Sequence, residues 1–466
     1  MPLLDTSDNR PVHFVGIAGA GMSALAELFA RRGVAVTGCD ANLGEAGDLR
    51  KLEIGLHEGH DPAHVDGARA VVVTSAVPQD HPELQRARDL GIPVVRRAEA
   101  LGEAVSGGRL VAVAGTHGKT TTTTMTTEAL EVAGLEPTGL TGGRVSSWEG
   151  NLRLGGTSLF VVEADEYDRS FLALQPTIAV VTSVEADHLD IYSDVQDILQ
   201  TFEQFLQPAR VVVRCMDDEG ARSLTLPLGA ESIGYGVELP DARPAGEGVR
   251  LVARDVEVTS HGTRFDAWLD GSHLVEVRLQ VPGLHNVRNA LAALACGHAL
   301  GAPAAGLAAG LGRFVGVQRR FQRVGEAGGV SVIDDYAHHP TEIRATIEAA
   351  RAAFPGRRIV AAFQPHLFTR TRDFADAFGA ELAAADEILL ADIYPAREKP
   401  IAGVDSGLIA AAAREAGRPP MWMGPRAGLT SALAEVVRDG DVVLTMGAGD
   451  ITLTGAELLK RLTSEA

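Results

Sequence analysis

Gly115-Thr-His-Gly118-Lys119-Thr120-Thr121 follows the apolar run Leu110–Ala114 and leads into a threonine-rich stretch, an arrangement suited to holding phosphate. Backbone amides from Gly115, Thr116, His117, Gly118 and Thr121 at a helix start can cradle β- and γ-phosphates. Lys119 can neutralise them, and the Thr120 hydroxyl can bind Mg2+. The strict P-loop spacing asks for glycine at position 113, where the chain carries Val113. The competing reading is a glycine turn that binds nothing. Against it, lysine occurs only at Lys51, Lys119, Lys399 and Lys460 in a chain with 42 Lys+Arg, and one of those four stands where the chemistry needs it.

Two acidic runs follow at the ends of apolar segments: Glu163-Ala-Asp165-Glu166 after SLFVVEAD, and Glu185-Ala-Asp187-His188 after TIAVVTSV. Each alone reads equally as solvated loop charge or a helix cap. Recurring behind a phosphate loop, they favour divalent metal, with one cation bridging phosphates and a second on the acceptor side. An earlier glycine cluster, Gly19-x-Gly21-x-x-Ala24 with Asp40 further on, matches the dinucleotide fingerprint. Its physics supports a pyrophosphate-bearing ligand, and nothing in the segment specifies a nicotinamide. Two further groups follow apolar runs late in the chain. Asp334-Asp335-Tyr336-Ala337-His338-His339-Pro340 is dense in polar groups. Phe363-Gln-Pro-His366 with Arg370 and Arg372 offers guanidiniums suited to a carboxylate or phosphate.

These residues need a scaffold that presents strand ends. The 466 residues predict about three domains at roughly 150 residues each. Short apolar runs alternate with helical patterns through the first hundred residues, break at SGG, resume at RLVAVAG, and resume again near position 319. This predicts successive parallel α/β layers. Between about 226 and 281, period-two alternation predicts a small antiparallel sheet attached to the second domain. NVRNALAALACGHAL then predicts a helix over 286–300 with Asn286 as its cap. The net charge of −19 argues against a general nucleic-acid binder. No signal peptide, bilayer-length apolar run or CxxC pair is visible, which predicts a cytoplasmic protein without membrane insertion.

Together GTHGKTTTT (115–123), EADEYDRSFLALQP (163–176), EADHLD (185–190), HNVRNALAA (285–293), DDYAHHPTE (334–342) and FQPHLFTRTRDF (363–374) resemble the Mur ligases, over nearly the whole chain. The resemblance implies three α/β domains. These are a Rossmann-like UDP-sugar-binding domain over 1–107, a P-loop-type ATPase domain with a small added β-sheet over 108–318, and a Rossmann-like domain over 319–466 that contacts amino acid and nucleotide. It implies an ATP-dependent amide ligase of peptidoglycan precursor synthesis that joins L-alanine to the lactyl carboxylate of UDP-N-acetylmuramate through an acyl phosphate, acting as a monomer or weak homodimer. Lys119 would hold the γ-phosphate, Thr120 and Glu163 a first Mg2+, and His188 a second. Asn286 and Asn289 would contact adenine, and Asp335 the nucleotide. Tyr336, His338 and Arg370 would form the alanine end. Gly19, Gly21, Asp40 and Ser75 would hold the UDP moiety, which replaces NAD as the ligand of the first glycine cluster.

The chain departs from the family pattern in two places. Leu367 stands where members often carry arginine, so the carboxylate clamp rests on Arg370 alone or on Arg372. The absence of lysine between Lys119 and Lys399 rules out a carbamylated-lysine metal ligand in the central domain. The nearest rival activity is recycling, the addition of a preformed peptide to UDP-N-acetylmuramate. Tyr336 and Glu342 stand where that pattern carries Phe and Ala. From other classes, an NAD-dependent dehydrogenase or a non-catalytic nucleotide sensor would also use a glycine cluster.

Overall fold

The computed structural model describes residues 2–189, 191–239, 248–396 and 398–465; Asp190, the end of the EADHLD segment, lies outside them. The chain divides into two compact units. One comprises Met1–Val256, Phe265–Arg278 and Val287–Val315, and the other Glu257–Arg264, Leu279–Asn286 and Gly316–Ala466.

In the first unit, β1 (Val12–Val15), β2 (Val36–Asp40), β3 (Gly55–Glu58), β4 (Ala70–Val73) and β5 (Val94–Arg96) form a parallel sheet in the order β3-β2-β1-β4-β5. Its inner strands are buried on both faces. Val12, Phe14 and Val72 pack with Leu25 and Phe29 on one side, while Val15, Val71 and Val73 pack with Leu84 and Ala87 on the other. Burial on both faces explains why these strands read as unbroken apolar runs. The order reverses at β1, which opens a crevice beyond the carboxyl ends of β1 and β4.

The second sheet is built from β6 (Arg109–Ala114), β7 (Thr138–Val145), β8 (Gly150–Arg153), β9 (Leu159–Glu163), β10 (Ile178–Val181), β11 (Val211–Cys215) and β12 (Glu231–Val237). β6 lies between β9 and β10 and is parallel to both, so the order reverses there too. The period-two segments form β13 (Val249–Thr259), β14 (Gly262–Leu269) and β15 (Ser272–Leu279). They continue the same sheet in the order β15-β14-β13-β12, and β13 pairs in parallel with β12.

The helix expected over 286–300 runs Leu284–Ala299. Asn286 therefore sits within its first turn and does not cap it; its Nδ2 donates to Pro282 O at 2.8 Å. The reason is local. Gly283 turns the chain at φ +104°, so the helix starts earlier than the apolar period alone suggests.

The second unit holds β16 (Gln322–Ala327), β17 (Val330–Asp335), β18 (Ile359–Phe363), β19 (Glu387–Ala391), β20 (Trp422–Gly424) and β21 (Val442–Met446), in the order β16-β17-β21-β18-β19-β20. Edge strand β16 pairs antiparallel with β17 across the Gly328-Gly329 turn, where both residues have positive φ. The remaining pairs are parallel. Among the described residues no helix is long and apolar enough to cross a membrane.

Candidate active site

The loop after β6 is shaped by glycine at two points. Gly115 has φ +136°, and a Cβ there would strike the Thr182 hydroxyl and the Ser183 backbone. Gly118, at φ +80°, is the N-cap of the helix Lys119–Val132, and a Cβ would come within 2.7 Å of Asn289 Oδ1. Thr116 N donates to Ser183 O at 2.9 Å and His117 N to Ser183 Oγ at 3.0 Å, which ties the loop to the end of β10. Thr116 Oγ1 accepts from Glu185 N at 2.9 Å. The helix that follows carries its threonines buried. Some hydroxyls are satisfied within the helix, Thr124 Oγ1 to Thr120 O and Thr127 Oγ1 to Thr123 O, both at 2.8 Å. Thr122 Oγ1 donates to Asn289 Oδ1 at 3.1 Å, which places Asn289 against this helix.

Because β6 is flanked by β9 and β10, the acidic loops after those strands border the phosphate-type loop. Thr120 Oγ1 donates to Glu163 Oε1 at 3.0 Å, and Gly142 N donates to Glu163 Oε2 at 2.6 Å. Lys119 Nζ donates to Glu166 Oε1 at 2.8 Å and Gly115 O at 2.7 Å. Burial raises the Glu163 carboxyl above its usual range against the pull of Gly142 N–H and Lys119, and lifts Glu166 to about 7. Burial opposes the Lys119 ammonium, but Glu166, Asp165 and Glu163 outweigh it and keep its pKa above the ordinary value. His188 is held in left-handed backbone at φ +53°, with Nε2 3.8 Å from both Glu166 Oε1 and Asp187 Oδ2. Thr120, Glu163 and His188 thus surround one loop that also carries the ammonium. Sequence reasoning gave Glu166 no role of its own. Its only signal was its place in the Glu-Ala-Asp-Glu run.

At the crevice of the first sheet, Gly19 is the N-cap of the helix Ala20–Arg31. Asp40, at the end of β2, accepts from Ala18 N at 3.0 Å and Asn42 N at 3.1 Å, so it braces the glycine loop. Ser75 lines a cleft with Arg96, Arg97, Glu99, Asp168 and Arg169. A Cβ on Gly21 would meet Arg97 Nη1 at 3.0 Å. Arg97 therefore belongs to this group, an anion-binding candidate missed in the sequence because it sits in an ordinary helix start.

In the second unit the loops after β17, β18 and β21 gather at the point where that sheet reverses. Asp335 is buried; its Oδ2 accepts from Phe321 N at 2.7 Å and its Oδ1 from Ala337 N at 2.8 Å. Burial raises its pKa to about 6 despite Arg320 nearby. The Tyr336 ring is covered by Arg319 and Arg320, with guanidinium carbons 4.9 and 5.2 Å from its centroid. His338 Nδ1 lies 2.9 Å from Tyr336 O and 3.1 Å from Glu342 Oε2. The His338 and His366 rings are 6.1 Å apart. Arg370 and Arg372 separate. Two positions apart on the helix Phe368–Leu382, Arg370 is buried, whereas Arg372 is exposed and pairs with its neighbour Asp373 at 2.7 Å. Arg372 does not join the group with Arg370 that the sequence suggested. Leu367 caps this helix at φ +70°, ψ 139°, a conformation that disfavours a side chain.

Known proteins match this chain along its length. The description "Mur ligase family, catalytic domain" matches residues 11–109, "Mur ligase middle domain" residues 113–297, and "Mur ligase, glutamate ligase domain" residues 319–449. A UDP-N-acetylmuramate–L-alanine ligase of Streptomyces avermitilis is 45% identical with all of both chains covered. Its counterpart in Salinibacter ruber is 43% identical over 95% of this chain and 93% of its own. Among solved structures, the UDP-N-acetylmuramate–alanine ligase of Thermotoga maritima superposes with a TM-score of 0.80 at 29% identity, covering 98% of this chain and 100% of that one. A murein peptide ligase of Psychrobacter arcticus gives 0.68 at 25% identity, covering 97% and 98%.

Proposed function

The chain belongs to the Mur ligase family, and we propose that it joins L-alanine to the lactyl carboxylate of UDP-N-acetylmuramate at the expense of ATP. The observation that carries the reading is the glycine loop of β6 set between two acidic loops, with Lys119 and Thr120 bonded to Glu166 and Glu163. The muramate carboxylate attacks the γ-phosphorus and displaces ADP to give an acyl phosphate. The amine of L-alanine attacks the acyl carbon, and the tetrahedral adduct expels phosphate.

Each group has an assigned part. The Gly115–Lys119 amides and ammonium bind the phosphates and stabilise the charge that moves from γ-phosphate to ADP. Asn289, packed on the same helix, and Asn286 serve the adenine. Thr120 and Glu163 fit Mg2+, since a hydroxyl and a partly buried carboxylate 3.0 Å apart form a hard-oxygen pair beside the phosphate-type loop. His188 would serve a second ion. Bound there, Mg2+ supplies neutralisation of phosphate charge. Gly19, Gly21, Asp40 and Ser75, with Arg97, take the UDP pyrophosphate and uridine.

In the second unit, Arg370 pairs with the alanine carboxylate and Tyr336 lines its site. His338 Nδ1–H is engaged by Tyr336 O, which leaves Nε2 to accept the proton that the alanine ammonium loses. Asp335, whose oxygens accept from Phe321 N and Ala337 N, fixes the shape of this loop, and its part is the nucleotide contact that the family resemblance gives it. We place the enzyme in the cytoplasm, as a monomer or weak homodimer; the three free, buried cysteines suit a reducing compartment.

The test is phosphate release with ATP, UDP-N-acetylmuramate and a panel of acceptors. L-alanine is expected to support turnover. Release with a preformed tripeptide but not L-alanine would move the chain to the recycling reaction. Saturation by NAD but not by the UDP-sugar would overturn the ligase reading.

A further inference from the structure

The first domain contains a cluster of side chains for which the ligase reaction has no use. The Glu83 carboxylate is fully buried in the first turn of the helix Pro82–Asp89, and histidine rings and a thiol gather around it. Cys39 Sγ, at the end of β2, lies 3.1 Å from Glu83 Oε2 and 3.4 Å from His60 Nδ1. His60 Nδ1 is 3.5 Å and His81 Nδ1 3.8 Å from the same oxygen. The other oxygen, Oε1, accepts from Asp61 N at 3.1 Å and lies 2.9 Å from His64 Nδ1. Two buried nitrogens, His81 Nδ1 and His13 Nε2, have no hydrogen-bond partner among the described residues. A ring nitrogen of His13 lies within 4.8 Å of Cys39 Sγ and the Glu83 carboxylate.

We propose that Cys39, His60, His81 and Glu83 form a tetrahedral site for a zinc-class divalent cation, separate from the ligase centre. With metal–ligand bonds of about 2.0–2.3 Å, the edges of a tetrahedron span about 3.3–3.8 Å. The Cys39–His60, His60–Glu83 and His81–Glu83 separations of 3.4, 3.5 and 3.8 Å fall in that range, and Cys39–Glu83 at 3.1 Å is slightly shorter. One thiolate, two imidazoles and one carboxylate select zinc over magnesium, because sulfur and nitrogen are softer donors. A dication would bring a full positive charge to a buried carboxylate whose present partners are a thiol, histidine rings and the Asp61 amide. The Cys39 thiol proton leaves to solvent as the metal binds. His64 and Asp61 N, on the second carboxylate oxygen, would orient Glu83 as outer partners. The site would staple the end of β2 to the loop after β3 and to the helix Pro82–Asp89. Cys39 is adjacent to Asp40, so the staple would stiffen one wall of the first crevice.

The full-length protein, stripped with chelator, is titrated with Co2+ as the spectroscopic substitute for zinc. A thiolate-to-cobalt charge-transfer band that saturates at a single equivalent is expected. The band should vanish in Cys39→Ser, and Co2+ affinity should fall roughly tenfold or more in His60→Asn and His81→Asn. Circular dichroism checks that each variant is folded. If Cys39→Ser misfolds, the partly exposed His60→Asn decides. No band in the folded wild type, a band that survives in folded Cys39→Ser, or unchanged affinity in His60→Asn would each overturn the site and leave a hydrogen-bonded cluster around a buried carboxyl.

Discussion

Lys119 Nζ lies 2.8 Å from Glu166 Oε1 and 2.7 Å from Gly115 O, so the ammonium is folded onto its own loop and anchored by an acid from the neighbouring strand end. Under the proposed function a lysine held this way is pre-positioned for phosphate, and the acid that holds it is the group that phosphate would compete with. Glu166 is buried and Lys119 largely shielded from solvent, which strengthens each of these interactions relative to the surface.

Lys119→Ala should fold normally and lose about 3 kcal/mol or more of transition-state stabilisation, roughly a hundredfold or more in turnover. Phosphate release measured beside a circular dichroism spectrum checks this. Near-normal release would remove the lysine from the mechanism.

Glu166→Gln keeps the shape of the anchor and removes its charge. A smaller loss is expected, about tenfold, as for one charge-assisted hydrogen bond. A loss as large as that of Lys119→Ala would mean that Glu166 does more than position the ammonium.

Arg370→Ala should raise the KM for L-alanine by roughly tenfold to a hundredfold and leave the KM for ATP nearly unchanged. Arg372→Ala should change neither by more than about twofold, because its guanidinium is spent on Asp373 at the surface. Steady-state kinetics with each substrate varied in turn distinguish the two. Equal effects would put both arginines in the clamp.

Leu367 occupies a backbone conformation open mainly to glycine, at φ +70° and ψ 139°. Leu367→Gly should therefore stabilise the protein by about 1 kcal/mol in chemical denaturation. A marked loss of stability would show that the leucine side chain contributes more by packing than its backbone costs.

Asp335 has its pKa raised to about 6 from 3.8 by burial. The native state then holds a proton that the unfolded chain releases between those values, so stability falls as pH rises through that window and is lost fully above it. Compared with Asp335→Asn, the wild type should gain relative stability on going from pH 7 to about pH 4, at no more than about 1.4 kcal/mol per pH unit. Denaturation midpoints of both proteins across that range test it, and parallel curves would mean that the carboxyl ionises normally.

The sequence by itself determined the α/β class and the strand ends that carry the candidate site residues. Strands buried on both faces must be unbroken apolar runs, and a phosphate loop must place glycine, lysine and threonine at fixed spacings. Only the tertiary structure decided which polar residues meet. Arg370 and Arg372 look equivalent in sequence, and helical geometry turns one inward and the other to solvent. Asn286 resembled a cap until the turn at Gly283 moved the helix start ahead of it. Glu166 meets Lys119 because β6 and β9 are neighbours, and neither strand encodes that pairing. The histidines at 60 and 81, with Cys39 and Glu83, are scattered along more than forty residues and carry no metal-binding spacing. The sheet order brings their donor atoms together, and contacts between residues distant in the chain follow from topology, not local pattern.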